Sequence, residues 1–336
     1  MRFRCCFIGF CMLFLMSISA HSEPLHIEKT LVTDDVEIIV KADAVIPSAQ
    51  TLPIYTIQIK AIDAERLAGI IWPDRQENIS VSHSTEDGST DITWPEGNNL
   101  YVINGMLTYQ TPYTLPAYRN PEYYLSGVGL TSDEISLPKD EALDQVRALL
   151  ACVGIDAPVV VASYSFDKEV LSQLYGDRRE ITEKDEGYYF RFHITENDIP
   201  ILPHIRTSAY HNYFVFGSGF EITVTGRGIQ YFSTIAGCSL YDIVAIQESG
   251  APIHTLDEAL EVVSAKYSQI ILLEPILIND IGLYYVIEPI IRGSEQQYTL
   301  TPAWVFYHRE FHEESGLWLD ADPLCIINAI TLKEIF

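Results

Sequence analysis

The pattern of apolar and polar residues contains one arrangement twice, an amphipathic helix followed by alternating strands. One copy begins at Asp140 and the other at Asp257, and each opens with Asp-Glu-Ala-Leu. Apolar residues then recur every three or four positions, which is the spacing of one helix face. The predicted stripes are Leu143, Val146, Leu149 and Leu150 in the first copy and Leu256, Ala259, Leu260 and Val263 in the second.

The second helix has the stronger start signal. Thr255 precedes Glu258 by three residues, which is the spacing of a capping box. In that motif the Thr side chain accepts the amide of the third helical residue, and the Glu side chain accepts the Thr amide. We therefore assign Glu258 to the helix start rather than to an acidic site. The aligned Glu141 is expected to be exposed at the start of its own helix.

Alternating segments between and after the helices predict antiparallel strands joined by short turns. Asn104-Gly105 is the strongest hairpin signal, because both turn positions need a positive φ. Gly226-Arg227 predicts a second hairpin, and Thr331-Leu332 predicts a short one near the end of the chain. Asn279-Asp280 is interpreted as a turn between strands over 270–278 and 281–287.

These elements predict an α+β fold of tandem helix-on-antiparallel-sheet modules preceded by an N-terminal α/β region. Function is then expected on the sheet faces and in the groove between the modules. The predicted boundaries are a signal peptide over 1–22, an N-terminal α+β region over 23–135, a first module over 136–250 and a second module over 251–336.

The start of the chain predicts export. Arg2 and Arg4 precede an apolar run, Cys5–Met16, and small residues follow at Ser17–Ser22. The run is shorter than the roughly 20 apolar residues that span a bilayer, so an uncleaved anchor is the second interpretation. Phe10 stands before Cys11 where a lipobox needs a small residue, which argues against a lipoprotein. The predicted location is secreted or extracytoplasmic, in possible association with the cell envelope.

The charge excludes two classes of partner. The chain has 46 acidic and 21 basic residues, a net charge of −25, and loss of the signal would remove two of the basic ones. Such a chain repels nucleic-acid phosphates and anionic lipid. Cationic partners and metal ions remain compatible with it.

Three cysteines lie outside the signal, Cys152, Cys238 and Cys325. This sparse, odd set is not a disulfide framework, so free thiols are predicted, and one disulfide is left open. None has a histidine or a basic cluster beside it, so no thiol nucleophile is expected.

Four segments carry a resemblance to a known family. They are Ala42–Pro47 (ADAVIP), Asp257–Leu260 (DEAL), Tyr298–Phe306 (YTLTPAWVF) and Ile326–Ile330 (IINAI). They resemble a family of secreted proteins of clostridia-like Gram-positive bacteria, known mostly as a domain of unknown function. More widely they are similar to PepSY-like modules and to YycH/YycI-type extracellular regulators of a cell-wall histidine kinase. The family often has a lipobox, and a glycine in its final hairpin, where this chain has Thr331-Leu332.

The resemblance implies a non-catalytic, extracytoplasmic binding or regulatory protein. We expect it to act at the bacterial cell envelope by binding a protein or peptide, with strand addition as the natural mode. An envelope-polymer hydrolase that uses an Asp/Glu pair is one alternative, and a metal-binding protein is another. No catalytic or cofactor-binding residue and no cofactor is predicted. The 20 tyrosines and four tryptophans could line a ligand-binding face, although core packing is the preferred interpretation.

The metal alternative depends on weak candidates. His308 and His312 are four residues apart, but the flanking residues look like a strand, which would separate the two by ~13 Å. Glu310 does not stand next to the first histidine, as the zinc motif His-Glu-x-x-His requires. Asp320 and Asp322, with the acids at 313–314, could supply oxygen ligands, but their spacing matches no known calcium loop.

Overall fold

The structure is a computed structural model that describes residues 25–32, 37–72, 79–125, 135–155, 158–202, 205–207, 214–216, 218–235, 238–269, 276–290, 297–312 and 317–335. The chain first forms β1 (Leu25–Val32), β2 (Glu37–Val45), β3 (Thr51–Ile59), α1 (Ala64–Ile71), β4 (Ser80–His83), β5 (Thr90–Thr93), β6 (Asn99–Ile103), β7 (Met106–Gln110), α2 (Pro121–Leu125), α3 (Lys139–Cys152), β8 (Val159–Phe166) and α4 (Lys168–Tyr175). It continues with β9 (Gly187–His193), β10 (Thr195–Glu196), β11 (Ile199–Pro200), β12 (Ile205–Thr207), β13 (Phe214–Phe216), β14 (Gly219–Thr225), β15 (Gly228–Thr234), β16 (Tyr241–Pro252), α5 (Leu256–Tyr267), β17 (Ile276–Ile290), β18 (Gln297–His312) and β19 (Leu317–Asn328).

A seven-stranded sheet has the order β1-β2-β17-β18-β3-β16, and β19 pairs with the C-terminal part of β18. β2 and β17 are parallel, and the other pairs are antiparallel. β18 forks the sheet, because Tyr298–Leu300 pair with β3 while Ala303–His312 pair with β19. α5 packs on one face of this sheet through Leu256, Ala259, Leu260, Val263 and Tyr267.

An eight-stranded antiparallel sheet has the order β4-β5-β6-β7-β15-β14-β9-β8. α3 and α1 pack on one face of it, against a core that includes Phe190, Phe220 and Phe232. α4 packs with Phe166 and Tyr189 in a smaller, separate core.

The predicted α+β fold of tandem helix-on-sheet modules is wrong, because the molecule is mostly β and each large sheet draws on distant parts of the chain. The seven-stranded sheet combines β1–β3 with β16 and β17–β19. The eight-stranded sheet combines β4–β7 with β8, β9, β14 and β15. Hydrophobic periodicity reports how each segment packs, but it does not encode which distant strand becomes its neighbour.

Several local predictions are confirmed. Thr255 and Glu258 form both halves of the capping box at the start of α5. The stripe of α5 is buried as predicted, and in α3 Val146, Leu149 and Leu150 are buried while Leu143 is partly buried. Glu141 is exposed. Trp94 and Trp304 lie in the cores, as preferred for the aromatic residues.

The turn predictions give a mixed result. Asn104 and Gly105 have φ angles of 46° and 74° and join β6 to β7, and Gly226-Arg227 joins β14 to β15. The turn predicted at Asn279-Asp280 is wrong. β17 runs straight through it, and the pairing with both neighbours shifts between Ile278 and Asp280, which is a bulge.

The three cysteines Cys152, Cys238 and Cys325 are free thiols, as predicted. Burial raises the pKa of the Cys238 and Cys325 thiols to about 12. The predicted signal peptide lies outside the described residues. Within them, no helix combines the length and the apolar character needed to cross a membrane.

Candidate binding site between the two sheets

A pocket of about 360 Å³ lies where the eight-stranded sheet approaches the face of the seven-stranded sheet that α5 also covers. Ile57, Ile287 and Leu300, from three strands of the seven-stranded sheet, line one side of it. Ile155, which follows α3, and Ile194, which follows β9, belong to the other side. Mostly apolar pockets of this size at the junction of two layers are common ligand sites.

A few polar groups converge on the pocket. Lys60 Nζ lies 2.7 Å from Asp242 Oδ1, and the Lys60 amide donates to the Leu240 carbonyl at 2.8 Å. Glu196, on the β10–β11 hairpin, accepts a hydrogen bond from the Tyr55 hydroxyl at 3.0 Å. Burial raises the pKa of Tyr55, and the adjacent Glu196 carboxylate raises it further. The pocket therefore combines an apolar lining with one ion pair and one further carboxylate.

Gly154 brings the end of α3 close to this ion pair. Its φ of +75° follows the end of the helix and favours glycine. A Cβ at this position would lie 3.0 Å from Lys60 Nζ. The glycine therefore ends α3 and leaves room for the lysine head at the pocket.

β16 gives the pocket an exposed apolar margin. It is an edge strand that pairs with β3, and Ile243 lines the pocket. The side chains of Ile243, Val244 and Ile246 are 44%, 48% and 61% exposed. Single exposed apolar residues are ordinary, but a run of four, Ile243–Ile246, along an edge strand offers backbone and side chains to a partner.

β8 gives a second apolar margin from the eight-stranded sheet. It too is an edge strand, and Val159, Val160 and Val161 are exposed. Val159 pairs with His193, and the next residue, Ile194, lines the pocket. Burial lowers the pKa of His193 to about 4, with a smaller contribution from Arg191. β8 is thus a second exposed apolar edge, and its neighbour β9 leads into the pocket at Ile194.

The candidate metal residues occupy the other end of the seven-stranded sheet. His308 and His312 both lie on β18, so the predicted strand is confirmed, and four residues along a strand span ~13 Å. Asp320 and Asp322 lie on β19, with Asp320 opposite Arg309. The side chains of His312, Asp320 and Asp322 are outside the description. Among the side chains that are described, no three His, Cys, Asp or Glu groups cluster closely enough to hold a metal. A metal site here remains a prediction.

No local sequence pattern indicates the pocket residues. Lys60 and Asp242 are far apart in the chain, so their ion pair has no local signal. The run Ile243–Ile246 was visible as a break in strict alternation, which an exposed edge can tolerate. The groove predicted to hold the function was placed between modules, whereas this pocket lies between two sheets that each span the chain.

Comparisons with known proteins identify a fold but no family. Neither a protein-family model nor a curated protein matches the sequence. The fold is similar to that of an uncharacterized protein from Eubacterium rectale ATCC 33656, solved at 1.45 Å. That similarity has a TM-score of 0.61 and 17% identity over 92% of this chain and 93% of the other. The C-terminal domain of Bacillus megaterium YpeB is a weak neighbour, with a TM-score of 0.32 and 13% identity over 82% of this chain and 96% of the other. The first likeness shows a common fold over most of the chain and nothing about activity, and the second is too weak to support an argument.

Proposed function

We propose that the protein is a non-catalytic, extracytoplasmic binding protein that captures an extended peptide segment of a cell-envelope partner by strand addition to β16. The observation that carries this proposal is the apolar run Ile243–Ile246 on an edge strand beside an apolar pocket. An edge strand has one row of backbone N–H and C=O groups without ladder partners, and an added strand satisfies them.

The geometry of β16 limits how the peptide binds. Its pairing with β3 shifts between Ile243 and Ala245, between Ile246 and Glu248, and between Glu248 and Ala251. These bulges prevent long regular pairing on a neighbouring strand. Main-chain hydrogen bonds to an added strand are therefore restricted to short segments between the bulges. The pocket adds to the affinity by burying one apolar side chain of the peptide.

The charge of the chain indicates the chemistry of the partner. The net charge is −25, and β16 itself has Asp242 on one side of its apolar run and Glu248 on the other. An apolar segment flanked by lysine or arginine complements this arrangement, and attraction between opposite charges speeds the encounter. The extracytoplasmic location belongs to the proposal and depends on the signal sequence predicted from 1–22.

Synthetic peptides test this proposal. The probe is a fluorescein-labelled peptide, Lys-Lys-Val-Thr-Val-Thr-Val-Lys-Lys, and the readout is fluorescence anisotropy on titration with the mature protein. We expect saturable binding in the micromolar range. A peptide with glutamate in place of lysine should bind roughly tenfold or more weakly, because like charges repel. Amides of successive residues in a strand point to opposite edges, so N-methylation either of the valines or of the threonines should remove the donors of the ladder and abolish binding.

Two outcomes contradict the proposal. Equal binding of both N-methylated peptides would show that the apolar surface acts without strand addition. A stable dimer in light scattering that the peptide does not dissociate would show that a second copy of the chain occupies β16.

A further inference from the structure

A second cleft, also of about 360 Å³, lies on the seven-stranded sheet where β18 forks between β3 and β19. Glu288 and its register partner Thr299 line this cleft, whereas the neighbouring Ile287 and Leu300 line the first pocket. Successive side chains of a strand point to opposite faces. The second cleft is therefore on the opposite face of the sheet and is independent of the first pocket.

The position of Glu288 disfavours the charged form of its carboxyl group. Its side chain is partly buried, and burial raises its pKa although a hydrogen bond with Thr301 acts in the opposite direction. The described residues give it no ion-pair partner. An acid taken out of water without a counter-charge destabilises the folded state.

Asp185 is a buried carboxylate with ion-pair partners, and it serves as a comparison for Glu288. It is 1% exposed, and Arg227 Nε lies 3.1 Å from one of its oxygens. Arg179 forms a second ion pair with it, and the Thr182 amide donates to its other oxygen at 2.9 Å. Burial alone would raise the pKa of Asp185, but these partners hold it below its usual value. Glu288 lacks this compensation among the described residues.

The rest of the cleft supplies mainly oxygen acceptors and aliphatic surface, together with the side-chain amide of Asn328. Thr299 and Thr301 provide hydroxyl groups, and Thr331 provides another across the cleft. Gln247 Nε2 donates to Thr56 Oγ1 at 2.9 Å, which leaves the carbonyl oxygen of Gln247 as an acceptor. Ile54 and Ile330 add aliphatic surface. No lysine or arginine is among the lining residues described.

We infer that this cleft binds a primary alkylammonium group, with Glu288 as its counter-ion. The ammonium has three donors for the carboxylate and the hydroxyl oxygens, and its alkyl chain contacts the isoleucines. A calcium ion needs six to eight oxygen ligands and usually more than one carboxylate. A guanidinium favours a fork of two parallel acceptors on one carboxylate. The ammonium comes from a free amine or from a lysine side chain of another protein.

The test is a titration with n-butylammonium, followed by saturation-transfer NMR, and n-butanol is the neutral probe of the same shape. The proteins are the wild type, Glu288→Gln, and the control Glu261→Gln, which removes the same charge from the exposed side of α5. We expect millimolar binding of the ammonium to the wild type and the control. Butanol should bind to the wild type roughly tenfold or more weakly than butylammonium. Butylammonium should bind to Glu288→Gln roughly tenfold or more weakly than to the wild type.

The pH dependence gives an independent readout. Binding needs the ionised carboxylate, and the pKa of Glu288 is raised above its ordinary 4.5. Ammonium affinity should therefore fall as the pH is lowered, with a midpoint above 4.5. The same shift predicts that folding favours the protonated acid, so the stability contribution of Glu288 decreases as the pH rises from 4.5 through the raised pKa. At neutral pH, Glu288→Gln should therefore raise the unfolding midpoint.

A further experiment distinguishes a lysine side chain from a free amine as the source of the ammonium. The peptide acetyl-Gly-Lys-Gly-amide should bind if the cleft accepts a lysine side chain, with the norleucine peptide as its control. Binding of butylammonium alone would identify a free amine as the ligand. The inference is overturned if butanol binds as well as the amine, if Glu288→Gln keeps full affinity, or if that variant is less stable at neutral pH. None of these results depends on peptide binding at β16.

Discussion

Two edge strands of the seven-stranded sheet, β1 and β16, differ in the residues that they show to solvent. β1 has polar side chains that contact residues of other elements. Glu28 forms an ion pair with Lys41 at 2.9 Å, and Lys29 forms one with Asp257 at 3.7 Å. His26 Nδ1 lies 2.8 Å from Asp43 Oδ1, a hydrogen-bond distance. β16 instead shows the apolar run Ile243–Ile246. Charged edges resist pairing with another chain, and apolar edges favour it. The difference indicates that one edge is protected and the other is available to a partner.

The largest expected effect comes from charging the available edge. In the double variant Ile243→Lys/Ile246→Lys, we expect affinity for the lysine-flanked peptide to fall about 100-fold, or about 2.7 kcal/mol. The variant loses apolar contact with the peptide. It also adds positive charge, which repels the lysines of the peptide. The measurement is peptide titration by anisotropy.

The matched control carries the same kind of change on the protected edge. Leu25, on β1, is 52% exposed, so Leu25→Lys also adds a positive charge at an exposed apolar position. We expect its affinity to stay within about twofold of the wild type. If Leu25→Lys weakens binding as much as the β16 substitutions do, overall charge decides the affinity and the two edges are equivalent.

A smaller effect is expected from a variant that lowers the stability of the protein without changing peptide affinity. Thr255→Ala removes the capping box of α5, which packs on the same sheet as β16. Loss of the cap should lower the free energy of unfolding by about 1 kcal/mol and leave peptide affinity unchanged. Urea denaturation and the peptide titration measure the two quantities. A parallel loss of affinity would show that the binding edge depends on the helix.

The smallest effect concerns the ion pairs of β1. Lys41→Ala breaks the pair with Glu28, and both side chains are more than half exposed. Exposed pairs contribute little, so we expect a change in the free energy of unfolding below about 0.5 kcal/mol. A larger loss in urea denaturation would show that the charges of β1 stabilise the fold itself, beyond limiting its pairing.

The features that local sequence could predict are those that local contacts determine. The capping box at Thr255 and the turn at Asn104-Gly105 need only residues a few positions away, and both are present. The parallel pairing of β2 with β17 joins segments more than two hundred residues apart, and no local pattern specifies it. Asn279-Asp280 has turn residues, but the apolar pattern continues on both sides, so the chain accommodates them as a bulge within β17.

The candidate site was less predictable than the fold elements. The pocket brings together Lys60, Glu196 and Asp242 from three distant segments, and its existence follows from sheet pairing that the sequence does not show. The charge of the chain and the apolar run of β16 were visible in the sequence. The charge left a cationic partner compatible with the chain, but the sequence interpretation did not use the apolar run and did not place the site.

Hydrogen exchange of the backbone amides, measured by mass spectrometry with and without the lysine-flanked peptide, tests the central claim most directly. We predict that bound peptide slows exchange in the segment 243–248, because an added strand accepts hydrogen bonds from edge amides of β16. The amides of β1 should exchange at the same rate in both samples. Slower exchange at β1 or at β8, with no change at 243–248, would contradict the assignment of β16 as the binding edge.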